Sequence, residues 1–189
     1  MLDKAAQAGQ HSYVERQFDC YETPPCAVEA LLRVEGIPRF VWEPACGPGS
    51  IVRVLRARGH SVTASDVIDY DCEDQILLDF LKIPLGDVGM ESIVTNPPYQ
   101  LAEKFVRQAL NFSPLVIMLL RLAFLESVRR TEVLEKSGLA RIHVFRNRLP
   151  MMHRRGWDGP KASSAMPFAW FVWCRGHTGP TTIDRISWE

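Results

Sequence analysis

The chain has 189 residues, 47% of them apolar and 23% charged, with 22 Lys and Arg balanced by 22 Asp and Glu. That profile suits one globular domain with a full core, and no apolar run reaches the ~20 residues a membrane span needs. Five scattered cysteines (Cys20, Cys26, Cys46, Cys72 and Cys174) contain no CxxC pair, which argues against both a disulfide framework and a zinc site. Nothing at Met1 to Ala6 resembles the apolar core of a signal peptide, so a cytoplasmic protein is expected. The charge is unevenly placed: residues 1–100 hold 8 Lys and Arg against 15 Asp and Glu, and residues 101–189 hold 14 against 7. Such asymmetry points to a polyanionic partner touching the C-terminal half, unless the two halves interleave in space.

Residues 1–18 are polar and aperiodic and read as a loose leader, with a single domain over 19–189. Thr23 then suits a helix N-cap and Pro24 the first helical position, with Ala27, Leu31 and Leu32 as the apolar stripe and Gly36 and Pro38 as its end. Phe40-Val41-Trp42 leads into a first strand, followed by Glu43-Pro44-Ala45-Cys46-Gly47-Pro48-Gly49 and a helix over 51–58. Strands are expected at 61–66 and 76–78, the first ending in Asp66 and the second capped by Asp79-Phe80. A fourth covers Ser92 to Thr95 and stops at Asn96-Pro97-Pro98-Tyr99, because two consecutive prolines carry no N–H for a ladder. A helix over 101–111, a continuous apolar strand over 115–120 and a helix over 124–136 follow. Strands over 142–145 and 168–173, joined by a basic loop, complete the chain, and Trp42, Trp170 and Trp173 are placed in the core. Strands alternating with helices predict an α/β fold: a doubly wound, mostly parallel, seven-stranded sheet with a closing antiparallel hairpin.

Three features at strand ends carry chemistry. Gly47 and Gly49 sit between a strand and a helix, where glycine lets a ligand approach the backbone. Asp66 ends the next strand 19 residues after Gly47, near the ~20-residue offset at which an acid takes ribose hydroxyls. Asp79 can accept from an adenine amino group and Phe80 can cover the ring. Together they predict a nucleoside pocket beside Asn96, whose side chain is held at a strand's carboxyl end by the proline that follows it. A dinucleotide site fits less well, since the third glycine of G-x-G-x-x-G is replaced by Val52.

On these motifs the chain resembles the class I S-adenosylmethionine-dependent methyltransferases, and more narrowly the N6-adenine DNA methyltransferases with an Asn-Pro-Pro-Tyr tetrapeptide. The resemblance covers roughly residues 20–175. It implies that Tyr21, Thr23 and Pro24 border the methionine end of S-adenosylmethionine and that Glu43, Ala45, Cys46, Gly47 and Gly49 line the cofactor. It further implies that Asp66 holds the ribose, that Val67 and Asn96 also contact the cofactor, that Asp79 and Phe80 hold the adenine, and that Asn96, Pro97, Pro98 and Tyr99 bind the base to be methylated. The Asn96 side-chain oxygen and the Pro97 carbonyl can accept both hydrogens of a conjugated amine and free its lone pair for in-line displacement. Tyr99 is expected to stack on a base taken out of its helix.

The chain departs from sequence-specific members in having no room for a separate target-recognition domain. The basic loop at 146–161, with Arg146, Arg148, Arg154, Arg155, Trp157 and Lys161, is the candidate nucleic-acid reader, against the alternative of a solvated hairpin. The expected activity is methylation of adenine N6 in DNA, without a metal or a membrane, with specificity weak or supplied by a partner subunit. The same tetrapeptide serves RNA adenine and protein glutamine, and a catalytically silent partner subunit is the other alternative.

Overall fold

Two prolines set the start of helix α1 (Pro25–Leu32): Pro24 is extended at the N-cap and Pro25 opens the first turn, where its missing N–H costs nothing. This is one residue later than predicted, and the Thr23 hydroxyl makes no cap; it accepts instead from the Asn96 side chain. The computed structural model describes residues 22–86, 89–150 and 166–189, so the leader expected over 1–18 lies outside the described residues. Strand β1 (Phe40–Glu43) follows, then helix α2 (Ser50–Ala57), which buries Ile51, Val52 and Leu55 on one stripe. Strand β2 (Ser61–Asp66) and the two-residue β3 (Ile76–Leu77) precede β4 (Ser92–Thr95). Helix α3 (Ala102–Phe112), strand β5 (Leu115–Arg121), the short helix α4 (Thr131–Glu135) and strands β6 (Leu139–Phe145), β7 (Phe168–Cys174) and β8 (Thr182–Ile186) complete the order.

The strands form one sheet in the order β3-β2-β1-β4-β5-β7-β6-β8. Neighbours from β3 to β5 are parallel, β7 is antiparallel to both β5 and β6, and β8 lies parallel to β6. The order reverses between β1 and β4, and the crevice outside the carboxyl ends of strands at such a reversal is where open α/β sheets bind ligands. Alternation along each strand divides the core in two. Ile117 and Leu119 of β5 and Phe168, Trp170 and Val172 of β7 face α1 and α2. Val116, Met118 and Leu120 of β5 and Ala169, Phe171 and Trp173 of β7 face α3 and α4. The three tryptophans are buried as expected, and each indole N–H has an acceptor: Ser65 Oγ for Trp42, the Ala27 carbonyl for Trp170 and the Val133 carbonyl for Trp173.

Two expectations fail here. The sheet has eight strands rather than seven: β8 is an edge strand, exposed at four of its five positions, so it needs no apolar run in the sequence. The single helix expected over 124–136 is broken. Ser127 sits at φ 144°, outside helical dihedrals, and caps a short 3-10 turn (Val128–Arg130) by accepting from Arg129 N. Arg130 donates to the carbonyls of Ala123, Phe124 and Glu126, which ends the preceding turn, and only Thr131–Glu135 remains α-helical.

A buried ionic cluster ties the chain after α1 to β6. Glu35 Oε1 accepts from Arg141 Nε at 2.5 Å and bonds His143 Nε2 at 2.6 Å, and its Oε2 accepts from Arg141 Nη2 at 3.0 Å. Burial pushes the Glu35 carboxyl up, but the His143 and Arg141 donors outweigh it and its pKa is lowered. Glu35→Ala is expected to cost about 2 kcal/mol in urea unfolding, below the usual range for breaking a buried pair because Arg141 keeps contact with water. An unchanged unfolding midpoint would show the cluster to be energetically idle.

Candidate active site

Strand β1 ends in a loop that only glycine can complete. Gly47 (φ 48°) and Gly49 (φ 86°) are left-handed, Gly49 N donates to the Cys46 carbonyl at 2.9 Å, and α2 begins at the next residue. A Cβ on Gly49 would stand 2.6 Å from Cys72 Sγ, so the turn is closed from behind as well as strained in front. Cys46 N donates to the Ser65 carbonyl, which fixes the loop to the end of β2. Asp66, the last residue of β2, completes the tie: Oδ2 accepts from Gly47 N at 3.0 Å and Oδ1 from Ile68 N at 3.2 Å. Burial pushes its carboxyl up while these backbone donors pull it down, and the net pKa is raised.

The loop and strand ends enclose a cavity of about 480 Å³. Of the residues predicted for a cofactor, Thr23, Ala45, Cys46, Gly47, Asp66, Val67, Asp79, Phe80 and Asn96 line it, and so does Pro98. Pro24, Glu43 and Gly49 do not, and Tyr21 lies outside the described residues. Phe80 is buried against Trp42, Phe105 and Phe112 and forms the wall more than a free cover. Asp79 Oδ1 accepts from Leu81 N and Oδ2 pairs with Lys82 at 3.1 Å, which shapes the turn at 80–82. Tyr70, Gln100, Leu101 and Phe105, none of them a predicted site residue, also line the cavity. The last three follow the tetrapeptide within about two turns, and that proximity was the available signal.

Glu43 lies beneath the loop with no exposed surface. Its Oε1 accepts from Ala45 N at 3.1 Å. Burial, the largest cause, and the nearby Asp66 carboxylate push its pKa up to about 8, against smaller opposing effects of the Thr95 hydroxyl and the Ala45 amide. Glu43 is therefore a neutral acid at pH 7. Burial likewise raises the Cys46 thiol, with Glu43, Cys72 and Asp66 adding to it, so Cys46 is not a nucleophile.

Asn96 lines the cavity, its Nδ2 donating to Thr23 Oγ1 at 3.0 Å. That bond assigns the amide nitrogen to Thr23 and makes the oxygen the acceptor end. Pro97 is buried, and Tyr99 opens a 3-10 turn (Tyr99–Leu101) without lining the cavity itself. The ring lies beside Phe168 (centroids 5.7 Å apart, 43° between planes) and under Arg121, whose guanidinium carbon is 4.0 Å from the ring centre. Arg146 and Arg148 are exposed just beyond the carboxyl end of β6, the same end of the sheet as Asn96, because β6 runs parallel to β4. Arg154, Arg155, Trp157 and Lys161 lie outside the described residues. Among the described residues no group of His, Cys, Asp and Glu is placed to hold a metal ion, and no helix is long and apolar enough to cross a membrane.

No protein-family model and no curated protein matches the chain. Solved structures do. A candidate RNA methyltransferase from Pyrococcus horikoshii is 13% identical with a TM-score of 0.64, over 84% of this chain and 87% of its own. The modification subunit of a candidate type I restriction enzyme from Vibrio vulnificus is 16% identical with a TM-score of 0.63, over 85% of this chain and 45% of its own. A candidate class I S-adenosylmethionine-dependent methyltransferase from Listeria monocytogenes is 13% identical with a TM-score of 0.60, over 86% of this chain and 65% of its own. The chain thus spans less than half of the restriction subunit and about two thirds of the Listeria protein. At these identities the likeness establishes the fold, a Rossmann-like methyltransferase fold.

Proposed function

We propose that the chain uses S-adenosylmethionine to methylate the exocyclic N6 of adenine in nucleic acid, with DNA as the first substrate to test. The observation that carries this reading is that Asn96 lines the same cavity as Gly47 and Asp66, which are bonded to each other. The cavity's residues fit the cofactor. Asp66 spends one lone pair of each oxygen on Gly47 N and Ile68 N and keeps others to accept from two ribose hydroxyls. Gly47, left-handed and part of the lining, leaves no side chain between the loop backbone and a ligand. The neutral Glu43 beneath the loop adds no second charge beside Asp66.

When bound, the cofactor supplies an electrophilic sulfonium methyl. The chain supplies position. Asn96 Oδ1 and the Pro97 carbonyl accept the two amine hydrogens, favour a pyramidal nitrogen and direct its lone pair into the cavity. No general base is required, since a methylated ammonium loses its proton to water readily. The names of two fold neighbours support a nucleic-acid substrate, one an RNA methyltransferase and one a restriction-modification subunit. The second is a multi-subunit context, which supports a partner that supplies sequence specificity. Similarity to the RNA enzyme extends over most of that protein, so RNA adenine is the second reading.

Tritiated S-adenosylmethionine incubated with duplex DNA, single-stranded DNA, RNA and protein lysate tests the reading by which fraction is labelled. Label in protein alone would overturn it. Asp66→Ala is expected to weaken cofactor binding by about 1.5–3 kcal/mol, the range for hydrogen bonds to a charged group. Calorimetry returning the wild-type affinity would remove Asp66 from the cofactor site.

A further inference from the structure

Arg121 is the last residue of β5, which outruns β4 by three residues because Thr95, the end of β4, pairs with Met118. Alternation puts Arg121 on the same face as Ile117 and Leu119, so a guanidinium continues what is otherwise a buried apolar row. It arrives over the ring of Tyr99, at 4.0 Å from the centre. A guanidinium at that distance fills the space a stacked base would take.

A second arginine provides the comparison. Arg130 lies over the Phe124 ring at 4.5 Å, but it is also fixed by donating to the carbonyls of Ala123, Phe124 and Glu126. Among the described residues Arg121 has no such anchor. The Nε of each arginine is buried without a hydrogen bond, but Arg121 lacks the carbonyl bonds that Arg130 makes through Nη1, and it forms no ion pair among the described residues. A half-buried cation held chiefly by a ring is poorly satisfied, and a phosphate oxygen would satisfy it better, through charge-assisted and bidentate bonds. Phosphate is the one anion that a nucleotide reaching Tyr99 must bring with it.

We propose that Arg121 is a placeholder on Tyr99: it covers the ring while no substrate is bound, and moves to the phosphate beside the target nucleotide when the base takes its place. This inference rests on the nucleic-acid reading above and adds a positioning residue to it. It also accounts for an arginine where the register asks for an apolar side chain. A base that lacks its phosphate gains nothing from the exchange, so the device favours a nucleotide within a strand over a free nucleoside.

The test compares wild type, Arg121→Ala and Arg121→Lys on a fluorescent mixed-sequence 40-mer, as single-stranded DNA, duplex DNA and RNA, over a salt series. Arg121→Ala is expected to lower the slope of log affinity against log salt by about one, and Arg121→Lys to keep it. Adenosine, which carries no phosphate, is used as a competitor and is expected to bind Arg121→Ala at least as well as wild type, since the ring is already uncovered. Cofactor affinity and melting temperature are expected to be unchanged in both variants. A slope equal to wild type in Arg121→Ala overturns the proposal. So does adenosine binding that weakens in step with the 40-mer, the result for an arginine that merely props Tyr99. Failure of the underlying reading looks different: wild type itself then binds none of the three nucleic acids.

Discussion

Asn96→Ala is expected to leave cofactor affinity nearly intact and to lower methyl transfer at least ~100-fold, the cost of losing one positioned partner of a transition state. The cavity gets most of its wall from the turn after β1, the end of β2 and the segment at 78–82, and Asn96 is one lining residue among many. Removing its amide also releases Thr23, whose hydroxyl accepts from Nδ2 at 3.0 Å. Thr23→Ala separates the two effects. It loosens the orientation of the amide without removing it, so its loss of rate should be much smaller than that of Asn96→Ala. Single-turnover transfer from tritiated cofactor, with affinity measured by calorimetry, reads both quantities. Near-normal turnover in Asn96→Ala would remove the residue from the chemistry, and a matching loss in cofactor affinity would make it a binding residue instead.

Much of the site could be read from sequence because it is made at strand ends, and strand ends are marked locally. Pro97-Pro98 must stop a ladder, Gly47 and Gly49 must turn, and Asp66 closes a run of β-formers. Strand β2 has the predicted limits for that reason, and β4 ends where the prolines demand. What escaped was set by contacts distant in the chain. Asp66 accepts from Gly47 N, so the two motifs are bonded to each other and not merely adjacent to one ligand. Thr23 looks like an N-cap in isolation, yet its hydroxyl is claimed by Asn96, 73 residues away. Arg121 reads as the polar end of an apolar strand, and only the register of β5 against β4 and β7 places it on Tyr99. Edge strand β8 and the break at Ser127 leave weak signals for the same reason: neither needs an apolar pattern of its own.

Glu43→Gln is expected to stabilise the fold, and by more as the pH rises. The carboxyl is fully buried and its pKa is pushed from 4.5 up to about 8, so the folded state holds a proton that the unfolded chain has already released at neutral pH. Stability associated with this group is fully present below pH 4.5, falls as the pH rises toward 8 and levels off above it. At 1.36 kcal/mol per pH unit, the loss between pH 5 and 8 is about 3–4 kcal/mol. Glutamine has the same shape and no proton to lose: its oxygen can still accept from Ala45 N, and its amide can donate toward the Thr95 hydroxyl, which faces no other partner among the described residues. Asp66, whose pKa is also raised by burial, acts in the same direction but is present in both proteins and cancels in the difference. Urea unfolding at pH 5, 6, 7 and 8 should therefore show wild type and Glu43→Gln close together at pH 5 and separated by about 3 kcal/mol at pH 8. A separation that does not change with pH would mean that Glu43 is ionised in the folded protein, with a negative charge buried directly beneath the Gly47–Gly49 turn.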